Sequence, residues 1–104
     1  VEGQTMATSV TVSHIFGDKG ISTNGTAEIL DTVDYRLMSL MIIAKDTNTS
    51  RVFYGGSDVA STTQLGIEPG GTVVITSARP FLLSSIYIDV AVNNEGVDFV
   101  GVRL

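Results

Sequence analysis

Val33-Asp34-Tyr35-Arg36-Leu37-Met38-Ser39-Leu40-Met41-Ile42-Ile43-Ala44-Lys45-Asp46 is the stretch whose reading decides the fold. Helix-period patterning is nearly absent from it, as from the rest of the chain. Read as a strand, its successive side chains point to opposite faces. One alternate set carries Tyr35, Leu37, Met41 and Ile43; the other carries Met38, Leu40, Ile42 and Ala44. A strand that is apolar on both faces is covered on both sides. In a domain of 104 residues, one cover is a second sheet. The other is a loop or a neighbouring subunit.

Working outward, residues 47–50 read as a polar turn and 51–54 as a return strand, so that 33–54 forms a hairpin. Residues 8–16 alternate as a half-buried strand, with Val10, Val12, His14 and Phe16 on one face. Gly17-Asp18-Lys19-Gly20 reads as a turn, followed by a short strand at 26–30. Strands at 72–78, 85–92 and 97–104 complete the set. Asn93-Asn94-Glu95-Gly96 forms a tight turn, with Asn and Gly able to take positive φ. About seven short strands with frequent turns predict an all-β fold, a single small antiparallel β-sandwich or jelly-roll-like barrel. Residues 1–7 (Val1, Glu2, Gly3, Gln4, Thr5, Met6, Ala7) lack apolar periodicity and read as a flexible arm. Residues 8–104 read as the single domain.

Composition agrees. Val, Thr and Ile supply about a third of the chain, and β-branched side chains suit a pleated surface. Only 16% of residues are charged while 43% are hydrophobic. This balance fits a subunit that gives up surface to neighbours. The absence of cysteine excludes a disulfide framework, a thiolate metal site and a cysteine nucleophile. Six Lys and Arg against eleven Asp and Glu argue against nucleic acid, whose phosphates demand clustered positive charge. No stretch approaches the ~18 apolar residues of a membrane-spanning helix.

No catalytic constellation emerges. The one histidine, His14, sits in an alternating strand and reads as a core or core-edge side chain. Tyr54-Gly55-Gly56-Ser57-Asp58 resembles a nucleophile elbow only superficially, because Val59 stands where the motif needs glycine and no helix follows. Asp31 with Asp34, or Asp89 with Asp98, would have to face each other across a pocket to serve as paired acids. Neither phosphate-binding glycine pattern occurs. The expectation is a protein that is not an enzyme and holds no cofactor and no metal.

Two segments stand out. In residues 51–71, Gly55 and Gly56 let the chain leave a strand sharply, and Ser57 and Asp58 bond local backbone. Val59 and Ile67 return to the core. Glu68-Pro69-Gly70-Gly71 fits a type II turn, with Pro69 and then Gly70 at its central positions. In Arg79-Pro80-Phe81-Leu82-Leu83, Pro80 ends the strand before it or confines it to an edge. Phe81, Leu82 and Leu83 then either plug one end of the sandwich or anchor a partner.

Arg36-Leu-Met-Ser39-Leu40, Val52-Phe-Tyr-Gly-Gly-Ser-Asp-Val59, Leu65-Gly-Ile-Glu-Pro-Gly70 and Ile86-Tyr87 resemble, in order, a group of small tailed-bacteriophage virion proteins. The usual pattern of that group is "vyiGGsdVt…G…LaPGes…iYa". The resemblance spans residues 32–104; the chain departs from it in its methionine-rich 38–44 stretch and its apolar 79–83 insertion. It implies a structural virion protein, a capsid decoration or cement protein on the outer surface of the head. Such a protein is made in the host cytoplasm and has the major capsid protein as partner. A phage tail or fibre component, or a carbohydrate- or host-attachment module, is the alternative. A glycan platform would have to come from Tyr35, Phe53, Tyr54, Phe81 and Tyr87. Low charge and the two-sided strand predict self-association, with a trimer favoured and a dimer possible. Residues 1–6 and 81–83 are the candidate partner contacts.

Overall fold

Antiparallel pairing nests about the middle of the chain. The computed structural model describes residues 13–60 and 66–103. Within them lie β1 (Ser13–Ile21), β2 (Glu28–Ile29), β3 (Arg36–Ala44), β4 (Val52–Gly55), β5 (Gly66–Ile67), β6 (Thr72–Leu82), β7 (Tyr87–Val90) and β8 (Glu95–Arg103). A single 3-10 turn, Leu83–Ser85, follows β6. β4 pairs with β5, β3 with β6, β2 with β7 and β1 with β8. This is one long hairpin that has been rolled up. Rolling adds the pairs β3·β8 and β4·β7 and divides the strands into two sheets, ordered β1-β8-β3-β6 and β2-β7-β4-β5. The architecture is an antiparallel β-sandwich with jelly-roll connectivity.

β3 lies inside the first sheet, paired on both sides. Its register slips between Leu37 and Ser39 against both neighbours, so Met38 is an extra, bulged residue. A one-residue slip turns every later side chain to the other face. Leu37 therefore shares the inner face with Leu40, Ile42 and Ala44, all buried. Val52, Ile67, Ile88 and Val90 of the second sheet meet them, with Ile21, Leu30, Leu83, Val97 and Phe99 filling the rest. Met38 and Met41 stay exposed.

Several expectations need correction. Residues 33–54 are not a hairpin: β3 and β4 belong to different sheets. β3 has both its edges occupied by β8 and β6, which leaves no ladder for β4. The segment read as a turn at 17–20 is the continuation of β1. Gly17 lies under the Phe99 ring, where an added Cβ would fall 2.5 Å from Phe99 Cζ, so glycine here makes room for a cross-strand aromatic instead of bending the chain. The face of β1 is also reversed. Ile15 and Ile21 point in, whereas His14 and Phe16 are exposed, so His14 is not a core residue. β6 runs through Pro80 to Leu82 as an edge strand. It does so by accommodating residues 77–80 as an excursion opposite Met38. Residues 8–12 and the proposed arm at 1–7 lie outside the described residues.

The two ends of the sandwich are tied differently. At one end, Asn48 is buried; its Nδ2 donates to Gly96 O at 2.8 Å and its Oδ1 accepts from Gly96 N–H at 3.2 Å. The side-chain amide thus extends the β3·β8 ladder by one rung. Beside it, the Glu95 carboxylate accepts from Thr49 N–H (2.6 Å), Thr49 Oγ (2.7 Å) and Ser50 N–H (3.3 Å). Asn94 turns at φ 69 and donates to Ile21 O. At Glu68–Gly71, Gly71 N–H donates to Glu68 O at 2.7 Å, with Gly70 at φ 79. At the opposite end, Leu83 N–H donates to Tyr35 O and Leu30 N–H to Ile86 O. Arg103 there stacks 4.0 Å over Tyr35.

Two cross-strand glycines separate close approach from open space. An alanine Cβ at Gly96 would fall 2.0 Å from Lys19 O, whereas one at its partner Gly20 meets nothing within 4 Å. Gly96→Ala is expected to lower stability by about 1–3 kcal/mol. Gly20→Ala should be neutral or raise stability by about 0.4–1 kcal/mol, through the unfolded chain. Denaturant unfolding of both variants checks the contrast.

Hydrogen bonds from Thr49 and Ser50, led by the Thr49 backbone N–H, hold the Glu95 carboxyl below its ordinary pKa. A carboxyl depressed by folding contributes stability that is present above its unfolded pKa and is lost as pH falls through the folded one. Glu95→Gln should therefore flatten the loss of Tm on acidification from pH 5 downward, and leave the alkaline side unchanged. A parallel acid limb in the variant would contradict the assignment.

Candidate interaction surface

The outer face of the first sheet is a register-matched grid. Phe16 pairs with Val100, Val100 with Met41 and Met41 with Val74, one residue from each of the four strands. These side chains form an apolar row across the whole sheet. Phe16 is 78% exposed, Val74 56% and Met41 36%. On one side the row is flanked by His14, Val102, Ser39 and Thr76; on the other, by Asp18, Asp98, Ile43 and Thr72. Lys45 Nζ lies 2.9 Å from Asp98 Oδ1 and 3.6 Å from Asp18 Oδ2. The bond to Asp98, with the two carboxylates' fields, holds the Lys45 ammonium above its ordinary pKa. A hollow of about 520 Å³ opens beside Phe16, lined by Asp18, Ile43, Asp98, Phe99 and Val100 among others. An apolar centre with a polar, largely neutralised rim is the anatomy of a contact surface.

The residues singled out from the sequence are scattered. Val1, Glu2, Gly3, Gln4, Thr5 and Met6 lie outside the described residues. Leu83 is fully buried in the core and Phe81 packs against it, so these two form the plug. Leu82 is 43% exposed and pairs with exposed Arg36. Gly55 closes β4. Gly56, Ser57 and Asp58 form a turn in which Val59 N–H donates to Gly56 O, and no strand-to-helix elbow exists there. The supposed glycan platform is dispersed. Tyr35, Tyr54 and Phe81 pack against the core and Phe53 is buried. Phe16, the aromatic that is exposed, was assigned to a strand face with no role. Its signal was present in the unbroken apolarity of the outer β3 set, which needed apolar neighbours in register.

Asp89 does not form a pair with Asp98: the first is buried and the second exposed. Asp89, on β7, is completely buried opposite Phe53 of β4. Its Oδ1 accepts from Gly25 N–H at 3.0 Å and Val90 N–H at 2.8 Å, while Oδ2 is buried without a partner among the described residues. The carboxylate fastens the β1–β2 loop to the second sheet. It does not converge with other acids: among the described residues no three His, Cys, Asp or Glu side chains gather as a metal site. Nor is any helix there long and apolar enough to cross a membrane.

Met41 and Ile42, adjacent in β3, test the two faces. Ile42→Ala should cost about 2–5 kcal/mol. Met41→Ala should stay within about 0.5 kcal/mol, as read by denaturant midpoints at a concentration where the chain is monomeric. Compared with known protein families, curated proteins and solved structures, the chain matches none.

Proposed function

We propose that this protein is a non-enzymatic structural virion component, a capsid decoration protein that binds and stabilises the assembled head of a tailed bacteriophage. The observation that carries the reading is an apolar end of the sandwich. There, Leu82, 43% exposed, pairs with exposed Arg36, and Val33 (42%) and Met38, within three residues of Arg36 along the chain, are exposed as well. An exposed apolar patch at one end of the sandwich suits attachment to a shell, where many weak contacts repeat by symmetry. The fragments that resemble virion proteins support the same reading. Three of the four lie at or next to strand ends, at the close of β4 at Gly55, the Glu68–Gly71 turn and the start of β7 at Tyr87, and the fourth, Arg36–Leu40, opens β3 across its bulge. Jelly rolls serve capsids and lectins alike, so the fold does not choose between them. The lectin-like alternative draws less support, because four of its five platform aromatics, Tyr35, Phe53, Tyr54 and Phe81, are buried or packed against the core, and only Tyr87 is not.

Mixing the protein with empty heads of the phage that encodes it, followed by sedimentation, tests the proposal. Wild type should co-sediment in hundreds of copies per head. Val33→Ser with Leu82→Ser should weaken binding by about tenfold or more with little change in Tm. Failure of the wild type to bind heads, or undiminished binding by the double variant, would contradict it. Binding to glycans without binding to heads would favour the attachment module.

A further inference from the structure

The apolar row across the first sheet lies away from the shell-facing end and is not used by that reading. We propose that it seats a second copy of this chain. Two molecules stack first sheet on first sheet, about a two-fold axis that runs along the strands between β8 and β3. Isologous contact of this kind is the commonest route to a closed oligomer, and stacked sheets pack with strands within about 30° of each other.

Size complementarity supports the stack. With the axis between β8 and β3, β1 lies over the partner's β6 and β8 over the partner's β3. Phe16, the largest and most exposed side chain of the row, then faces the partner's Val74. Val100 faces the partner's Met41. The hollow beside Phe16 receives the partner side chain.

Charge supports it too. A chain of net charge −5 repels its copy unless the contact avoids acid on acid. The acids on this face are Asp18 and Asp98, both bridged by Lys45. In the stack Asp18 lies over the partner's Thr72 and Asp98 over the partner's Ile43, so no carboxylate meets another.

Area sets the strength. Leaving out the Arg36–Leu82 end, four strands about 4.8 Å apart, each about six residues long at roughly 3.3 Å per residue, give a face of about 380 Å². Two such faces bury about 760 Å², less than the ~1,000 Å² of a stable specific interface, so the stack is a weak and reversible dimer.

The test is sedimentation equilibrium of the 104-residue chain from low to high micromolar concentration, with no shell present. Wild type should show a reversible monomer–dimer equilibrium. Phe16→Asp and Met41→Lys should each weaken it by about thirtyfold or more, with circular dichroism and monomer Tm unchanged. Because the chain has no cysteine, a mixture of Phe16→Cys and Val74→Cys chains should be joined into a mixed dimer by a short bis-maleimide, which spans the roughly 10 Å between stacked sheets that a direct disulfide cannot. A wild type that is monomeric throughout overturns the proposal. So does a trimer, a dimer indifferent to both charge substitutions, or cross-linking confined to Phe16→Cys with itself. If the wild type is monomeric but Phe16→Asp loses binding to heads, the row belongs to the shell instead. Dimerisation without head binding would leave this inference standing while removing the decoration reading.

Discussion

The bulge at Met38 sets what the two faces of this protein are. Without the extra residue, strict alternation would put Leu37 on the outer face with Met41 and Ile43, opposite Leu40, Ile42 and Ala44. With it, four aliphatic side chains of one strand enter the core together. β3 also needs both of its neighbours, β8 and β6, because an interior strand leaves no backbone group unpaired. Those two demands separate β3 from β4 and send the chain across to the second sheet. The nested pairs follow: once β3·β6 and β4·β5 are set, β2·β7 and β1·β8 are the remaining partners in a rolled hairpin.

Stability is then a matter of closing the ends. Charge contributes little, since the ion pairs Lys19–Glu28 and Arg51–Glu68 are partly or largely exposed and such pairs are weak. Backbone-like bonding does more. Asn48 continues the ladder against Gly96, and Glu95 and Asp89 collect loop amide groups at positions where a loop would otherwise be free. At the other end, Leu83 and Phe81 plug the sandwich and leave Leu82 outside. A sequence of three apolar residues therefore divides its labour by strand geometry.

The all-β class, the turn at Glu68–Gly71 and most strand centres were legible, because β-branched composition and Gly-Pro punctuation act locally. What was not legible was non-local. Gly17 looked like a turn residue because the sequence does not show that Phe99, far along the chain, packs over it. Gly20 and Gly96 are indistinguishable as letters, yet only Gly96 faces a backbone carbonyl. His14 and Phe16 were placed on the correct common face and assigned the wrong direction, since alternation defines faces but not which one meets the second sheet. The two-sided β3 was the most informative signal. Its outer half, joined in register to Phe16, Val100 and Val74, is the surface on which the proposed self-association rests.

The described residues leave Phe16, Met41 and Val74 exposed on the outer face of the first sheet, and the proposed stacking covers them. Methyl NMR of the methionines with a soluble paramagnetic probe measures this directly, because Met41 lies in that row and Met38, exposed at the bulge, serves as the reference. Both signals should be strongly attenuated in dilute protein, and Met41 should become protected as concentration rises. Protection of Met41 at every dilution would show that the chain covers its own sheet, and would contradict the claim.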